Sequence, residues 1–341
     1  MKVLIVGSDK VYAIENFYVK YLRELGVETY QFSAQTLFYD YYQDSLRHKL
    51  LYRSGISRII KSINVSFMQA IETYSPDVIW VFKGMEILPD SLRRAKQKKI
   101  KLVNYNPDSP FVFSGPGSGN RNVTGSIALY DLFLTYNDED KKRMEQKFKI
   151  PSRILPFGFD LNEDVFDTSI TEVEKCKLCF LGNPDNTRAS FLTSLADEGL
   201  VIDLFGNDWS QFVKHDNISI HEPVYENQFW TTLRRYRIQL NLMRPHNPTS
   251  HNMRTFEACG VGAIQLAPAT IDHTLHFESE KEIFLYKDAR SCFSQAKKLL
   301  SLCPDKAMSI RQDARSRSLH SGYTYKDRAA QALSFINQHC G

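Results

Sequence analysis

Residues 237–267, RIQLNLMRPHNPTSHNMRTFEACGVGAIQLA, divide into a strand, a polar loop, a short helix and a second strand, and they hold the densest chemistry in the chain. Ile238, Leu240 and Leu242 alternate with Gln239 and Asn241, the period of a strand, while 262–267 is a mostly apolar run of buried-strand length. The loop 245–251 carries Pro245 and Pro248, which forbid regular pairing, and Thr249 and Ser250, both good N-cap residues for the helix that follows. A helix start projecting from a sheet offers unpaired backbone N–H groups to an anion, here those of Ser250, His251 and Asn252. Its dipole is worth only ~0.3–2 kcal/mol, too little to hold a diphosphate alone. Arg254 in the first turn and Arg244 at the end of the preceding strand supply the forked cationic donors such an anion needs.

Further along the helix, Glu257 stands between Phe256 and Cys259 on a surface that otherwise faces the core, and a carboxylate there needs a partner. An i, i+3 pair with Arg254 is one reading. The turn Ala258-Cys259-Gly260-Val261-Gly262 supports another: its two glycines let helix and sheet backbones approach closely. Glu257 is then expected near the C-terminal edge of a parallel sheet, where ligands bind.

The run Arg-Thr-Phe-Glu-Ala-Cys-Gly-Val-Gly-Ala, preceded by Leu-Asn-Leu-Met-Arg, resembles the donor-site signature of GT-B glycosyltransferases, and more narrowly the group typified by the spore maturation protein CgeB. The resemblance implies an α/β chain of two Rossmann-like domains facing across a cleft. It also implies a nucleotide-diphosphate sugar as co-substrate, with no other cofactor. In group-1 retaining transferases the glutamate before Ala-x-Gly binds the nucleotide ribose, a role that falls on Glu257. The glutamate that touches the donor sugar in those enzymes is replaced here by Thr249, which leaves donor-sugar recognition and retention open.

The totals agree with a two-domain globular chain: 341 residues, 43% hydrophobic and 24% charged, with a net charge of +4 that does not argue for nucleic acid. No apolar run approaches the ~20 residues that cross a bilayer, and the first strand starts at Lys2 without a signal peptide, so a cytoplasmic location is expected. Cys176, Cys179, Cys259, Cys292, Cys303 and Cys340 are unevenly spaced. The one CxxC lacks a second pair or a histidine at zinc spacing, so all six read as reduced thiols.

In chain order, 2–7 and 27–32 read as strands around a helix, but Gly7-Ser8-Asp9-Lys10-Val11-Tyr12 lacks the Gly-x-Gly-x-x-Gly of a dinucleotide site. A helix over 56–74 precedes the apolar strand 77–82, which ends at Lys83 and Gly84. Arg93, Arg94, Lys96, Lys98, Lys99 and Lys101 form a basic run: a solvated face, with attraction to an anionic membrane surface or an acidic acceptor as the alternative. The strand 101–105 delivers Asn106-Pro107-Asp108-Ser109-Pro110, and a glycine-bearing loop follows. The family carries an Asp-containing, proline-ended turn at this place, so Asp108 is the candidate catalytic or acceptor-contacting carboxylate, against the plainer reading of a turn aspartate. Asp138, Glu139 and Asp140 open a charged helix over 138–148 and read as helix-start acids, not as a metal site.

Residues 153–160, RILPFGFD, resemble the family's interdomain segment. They put an acceptor-binding domain at 1–160, a polar linker at 161–175 within a donor-binding domain at 161–318, and a last helix at 319–341 that crosses back. In the second half the strand 177–182 ends at Gly182, followed by Arg188 near a helix start, a phosphate-type turn. Gly206 ends the next strand, and Val224 and Tyr225 lie where such folds receive the base. The diphosphate is thus expected on Gly182, Arg188, Arg244, Arg254 and the 250–252 backbone, and the acceptor hydroxyl near Asp108 or His246. The expected partners are a nucleotide sugar and a glycan, lipid-linked glycan or protein acceptor in bacterial surface-polysaccharide assembly. Two other readings stay open: a nucleotide-sugar-binding scaffold without turnover, and phosphorylase or epimerase chemistry.

Overall fold

Among the described residues twelve strands form two parallel six-stranded sheets, each in its own unit of the chain. The computed structural model describes residues 1–113, 118–243 and 250–340. The first unit comprises Met1–Pro156 with Tyr325–Gly341, and the second Phe157–Thr324. The first sheet contains β1 (Lys2–Val6), β2 (Glu28–Phe32), β3 (Val78–Phe82), β4 (Lys101–Tyr105), β5 (Leu132–Thr135) and β6 (Ser152–Ile154), in the order β2-β1-β3-β4-β5-β6. Helices cover both faces, so the central strands are mostly buried; every residue of β3, VIWVF, is apolar and buried.

The second sheet contains β7 (Lys175–Leu181), β8 (Ile202–Phe205), β9 (Ile218–His221), β10 (Tyr236–Leu240), β11 (Gln265–Pro268) and β12 (Phe284–Tyr286). Its order, β12-β11-β10-β7-β8-β9, is that of a doubly wound Rossmann sheet. Winding reverses between β1 and β3 in one unit and between β7 and β10 in the other. In open parallel sheets ligands bind beyond the carboxyl ends of the strands at that reversal.

The helix Tyr325–Cys340 belongs to the first unit because of its aromatic start. Tyr325 stacks on Phe17 at 4.6 Å between centroids and meets Tyr18 edge-on, and Tyr18 in turn packs against Trp80, Phe82 and Tyr105. Ring pairs of this kind add ~0.5–1.5 kcal/mol each beyond area burial.

The structure refines several sequence expectations and bears out others. The expected linker 161–175 contains the helix Glu163–Thr171, whose first turn is capped where Asp164 N–H donates to Asn162 Oδ1 at 3.0 Å. Arg315 fixes this helix by pairing with Glu163 and lying 3.4 Å over the Phe166 ring, so the segment is packed and does not serve as a free connector. The helix expected from residue 56 starts at Ile59, and the charged helix Asp138–Arg143 is capped by Asn137. Asp140 turns inward to accept from Ser109 Oγ at 2.9 Å, and burial pushes its carboxyl up to about 6. The CxxC cysteines stand three apart on β7 and therefore face opposite sides, Cys179 buried and Cys176 exposed, so they do not form a joint site.

Candidate functional site

In the second unit the helix Met253–Gly260 starts beside the reversal between β7 and β10. Its N-cap is Asn252, not Thr249 or Ser250. Thr255 N–H donates to Asn252 Oδ1 while Asn252 N–H donates to Thr255 Oγ1, a reciprocal capping box that satisfies two end donors at once. Three further ties hold this start. Asn252 and Asn241 exchange amide hydrogen bonds at 2.7 and 3.1 Å, fastening the helix to the exit of β10. Thr255 Oγ1 lies 2.9 Å from His273 Nε2. Asp272 Oδ2 accepts from Ser250 Oγ at 2.6 Å and from Nδ1 of His251, a ring only 1% exposed, at 2.7 Å. Burial would raise the Asp272 carboxyl, but these two bonds outweigh it and hold the carboxyl low. The backbone of Ser250, His251 and Asn252 is therefore fixed by side chains from three separate segments.

Asn241, Asp272 and His273 were not legible as site residues in sequence. Asp272 and His273 lie in the helix Ile271–His276, whose residue spacing gives no hint that it meets the helix start. The Pro268 carbonyl can only accept, so His273 Nδ1, 2.7 Å away, carries the proton and Nε2 accepts from Thr255. Burial pushes the His273 pKa down to about 4, so the unfolded chain binds its proton more readily between pH 4 and 6.5. Stability from this group is full above about pH 6.5 and is lost as pH falls toward 4, by up to about 3 kcal/mol. The expected result is that His273→Gln flattens the fall in melting temperature between pH 7 and 5. Equal pH slopes in the variant and the parent would disprove it.

The basic residues are committed to the same crevice. Arg188, 9% exposed, donates from Nη1 to the Asn183 carbonyl at 3.0 Å and from Nη2 to the Leu242 carbonyl at 3.1 Å, joining the exits of β7 and β10 across the reversal. Arg254 lies 4.4 Å over the Phe229 ring and donates from Nη2 to the Leu181 carbonyl at 3.3 Å. Its Nη1 pairs with Glu257 at 3.0 Å, so the i, i+3 pair exists. Burial raises the Glu257 carboxyl and Arg254 opposes that rise. The glycines at and just past the end of this helix serve a different contact from the one expected: a Cβ on Gly260 would lie 2.6 Å from the Phe159 ring, and one on Gly262 would lie 3.0 Å from the Arg311 carbonyl of the helix Pro304–His320. The nearest groups they admit are Phe159 and that helix.

At the exits of β7 and β8, Gly182 and Gly206 cross closely. A Cβ on Gly206 would fall 2.3 Å from the Gly182 carbonyl oxygen, which also accepts from Trp209 Nε1 at 2.8 Å. Beyond them Val224 is half-buried and Tyr225 exposed, at the start of the helix Glu226–Arg235. Beside them His221 stacks on Phe205 at 4.7 Å and lies 3.5 Å from the buried Asp203. Arg244, His246 and Thr249 lie outside the described residues.

In the first unit Asp108 N–H donates to Asn106 Oδ1 at 3.1 Å, a bond that holds the backbone at this place. Its side chain does more: Oδ2 lies 2.6 Å from Lys83 Nζ at the exit of β3, where Lys83 holds a left-handed backbone (φ 61°). Glu15 accepts from Ser8 N–H at 2.9 Å, so a buried carboxylate fills the turn after β1, where a dinucleotide fold would receive phosphate. Glu86, 6% exposed, is pushed up to about 7 by burial against the opposing charge of Lys83. Burial likewise raises the Glu15 carboxyl, so the pair Lys83–Asp108 stands near two carboxyls whose ionisation is opposed by burial.

The fold is that of the GT-B glycosyltransferases, two Rossmann-like α/β domains with parallel sheets. Residues 188–334 match the family described as Glycosyl transferase-like. Similar solved structures include a sucrose-phosphate synthase from Thermosynechococcus elongatus (11% identity, 99% of this chain and 98% of that one, TM-score 0.70) and Anabaena HepE in complex with UDP-glucose (11%, 99% and 100%, 0.66). A putative UDP-N-acetylglucosamine 2-epimerase from Listeria monocytogenes is also similar (12%, 99% and 96%, 0.57). A search of curated proteins found no match.

Proposed function

We propose that this chain is a glycosyltransferase that moves a sugar from a nucleotide-diphosphate donor to a glycan, lipid-linked glycan or protein acceptor in bacterial surface-polysaccharide assembly. One observation carries the reading: a helix start fixed by four sets of side-chain bonds at the sheet reversal, with Arg188, Arg254 and Glu257 around it. Breaking the anomeric C–O bond leaves negative charge on the departing diphosphate. Donors fixed beforehand stabilise that charge without reorganising as it develops. In this reading the 250–252 backbone and the arginines meet the diphosphate and Glu257 meets the ribose, while Asp108 contacts the acceptor. The resemblance to group-1 enzymes favours retention, in which the leaving phosphate takes the acceptor proton.

Thr249, where group-1 enzymes carry the donor-sugar glutamate, favours one competitor, a scaffold that binds nucleotide sugar without turnover. A thermal-shift screen of nucleotide sugars, followed by product analysis with the best binder, separates the two: only a transferase consumes acceptor in step with nucleoside diphosphate release. The proposal assigns the diphosphate charge to helix N–H groups and arginines. Turnover is therefore expected to survive EDTA, and activity abolished by EDTA and restored by manganese would contradict that assignment.

A further inference from the structure

We propose that the helix Leu46–Arg53 of the first unit docks on an anionic lipid surface. None of its residues is fully buried. Its inner side is aromatic: His48 stacks on Tyr41 at 4.1 Å, and Tyr52 meets Phe38 edge-on at 4.8 Å. Leu46, Leu50 and Arg53 recur at i, i+4 and i+7 and so share the opposite stripe, flanked by Arg47 and Lys49. Leu46 is 78% exposed and Leu50 66%, and Ile56, just past the helix, is 72% exposed. Scattered exposed leucines are ordinary, but two on the outer stripe of one short helix stand together among cations, the pairing of apolar and basic side chains that a lipid interface accepts.

The charge around this face has one sign. Between Asp44 and Glu72 the chain carries Arg47, Lys49, Arg53, Arg58 and Lys61 and no acidic residue. Among the described residues the helix makes one ion pair, His48 with Asp44 at 3.1 Å. The basic run that sequence singled out differs: Arg93, Lys96 and Lys98 are paired with Asp90, Asp131 and Glu72. Unpaired cations draw the helix to anionic headgroups, and the leucines between them gain only if they leave water for the acyl boundary. A nucleic acid or an acidic protein would use the cations and leave that apolar stripe without a role.

The test is co-sedimentation of the full chain with phosphatidylglycerol–phosphatidylcholine vesicles and with phosphatidylcholine alone, without nucleotide, so that its outcome is independent of the donor reading. Binding is expected on the anionic vesicles only, weakening with salt. Leu46→Ser with Leu50→Ser, and separately Lys49→Glu with Arg53→Glu, should each lower partitioning at least about tenfold with the melting temperature unchanged. Arg93→Ser with Arg94→Ser should leave it within about twofold. Three results would overturn the proposal: no binding to anionic vesicles, undiminished binding by the leucine variant, or single-stranded RNA bound equally well by that variant and by the parent.

Discussion

Glu257→Gln is expected to weaken nucleoside diphosphate binding by more than about tenfold. A hydrogen bond to an ionised group contributes ~1.5–3 kcal/mol, and 1.4 kcal/mol is a factor of ten in dissociation constant. The amide is nearly isosteric and keeps one oxygen toward Arg254 Nη1, now 3.0 Å from the carboxylate, so the loss should fall mainly on the ligand. Arg254 would nonetheless lose its countercharge in a crevice where both side chains are largely covered, and a lower melting temperature is expected alongside. Calorimetry with UDP on the folded variant reads the first effect and thermal unfolding the second. Unchanged affinity would remove Glu257 from the site. A change in melting temperature with unchanged affinity would mean that the ion pair is its whole role.

The fold was legible where burial alone decides. Runs such as VIWVF and KLCFL must be covered on both faces, and a parallel sheet is the architecture that does so. What sequence could not supply is pairing between residues far apart along the chain. Asp272 reads as an ordinary acid in the first turn of a short helix, yet it holds Ser250 and His251 across a gap in sequence that no periodicity spans. Thr249 and Ser250 looked like caps because they precede an apolar helical stripe. Asn252 caps instead, and it is also clasped by Asn241 from the neighbouring strand exit. Arg254 and Glu257 were visible as a pair and as ligands. The structure contains the pair, and binding measurements decide the rest. The polar stretch 161–175 looked like a connector because its helix faces the protein with few apolar side chains and is fixed by Arg315, a partner far along the chain.

Asp108→Asn is expected to lower turnover by at least about a hundredfold, the lower range for losing a positioned proton-transfer or charge-stabilising group, while UDP affinity stays within about twofold. The division follows from position: Asp108 stands at the exit of β4 in the first unit, whereas the diphosphate and ribose are assigned to the second. Only contacts that strengthen in the transition state change the chemical step, so a donor-binding constant that does not move while turnover falls places Asp108 with the acceptor or the reacting centre. Its pairing with Lys83 at 2.6 Å makes a purely local turn role less economical, because the Asn106 side chain already secures the turn through the Asp108 N–H, a bond that Asn at position 108 would keep. The substitution therefore preserves the backbone and removes the charge beside Lys83. Donor affinity by calorimetry and turnover by product formation are measured on one preparation. Parental turnover in the Asn variant would show that the carboxylate serves only its neighbours, and a joint loss of donor binding and turnover would show that the unit has been disturbed as a whole.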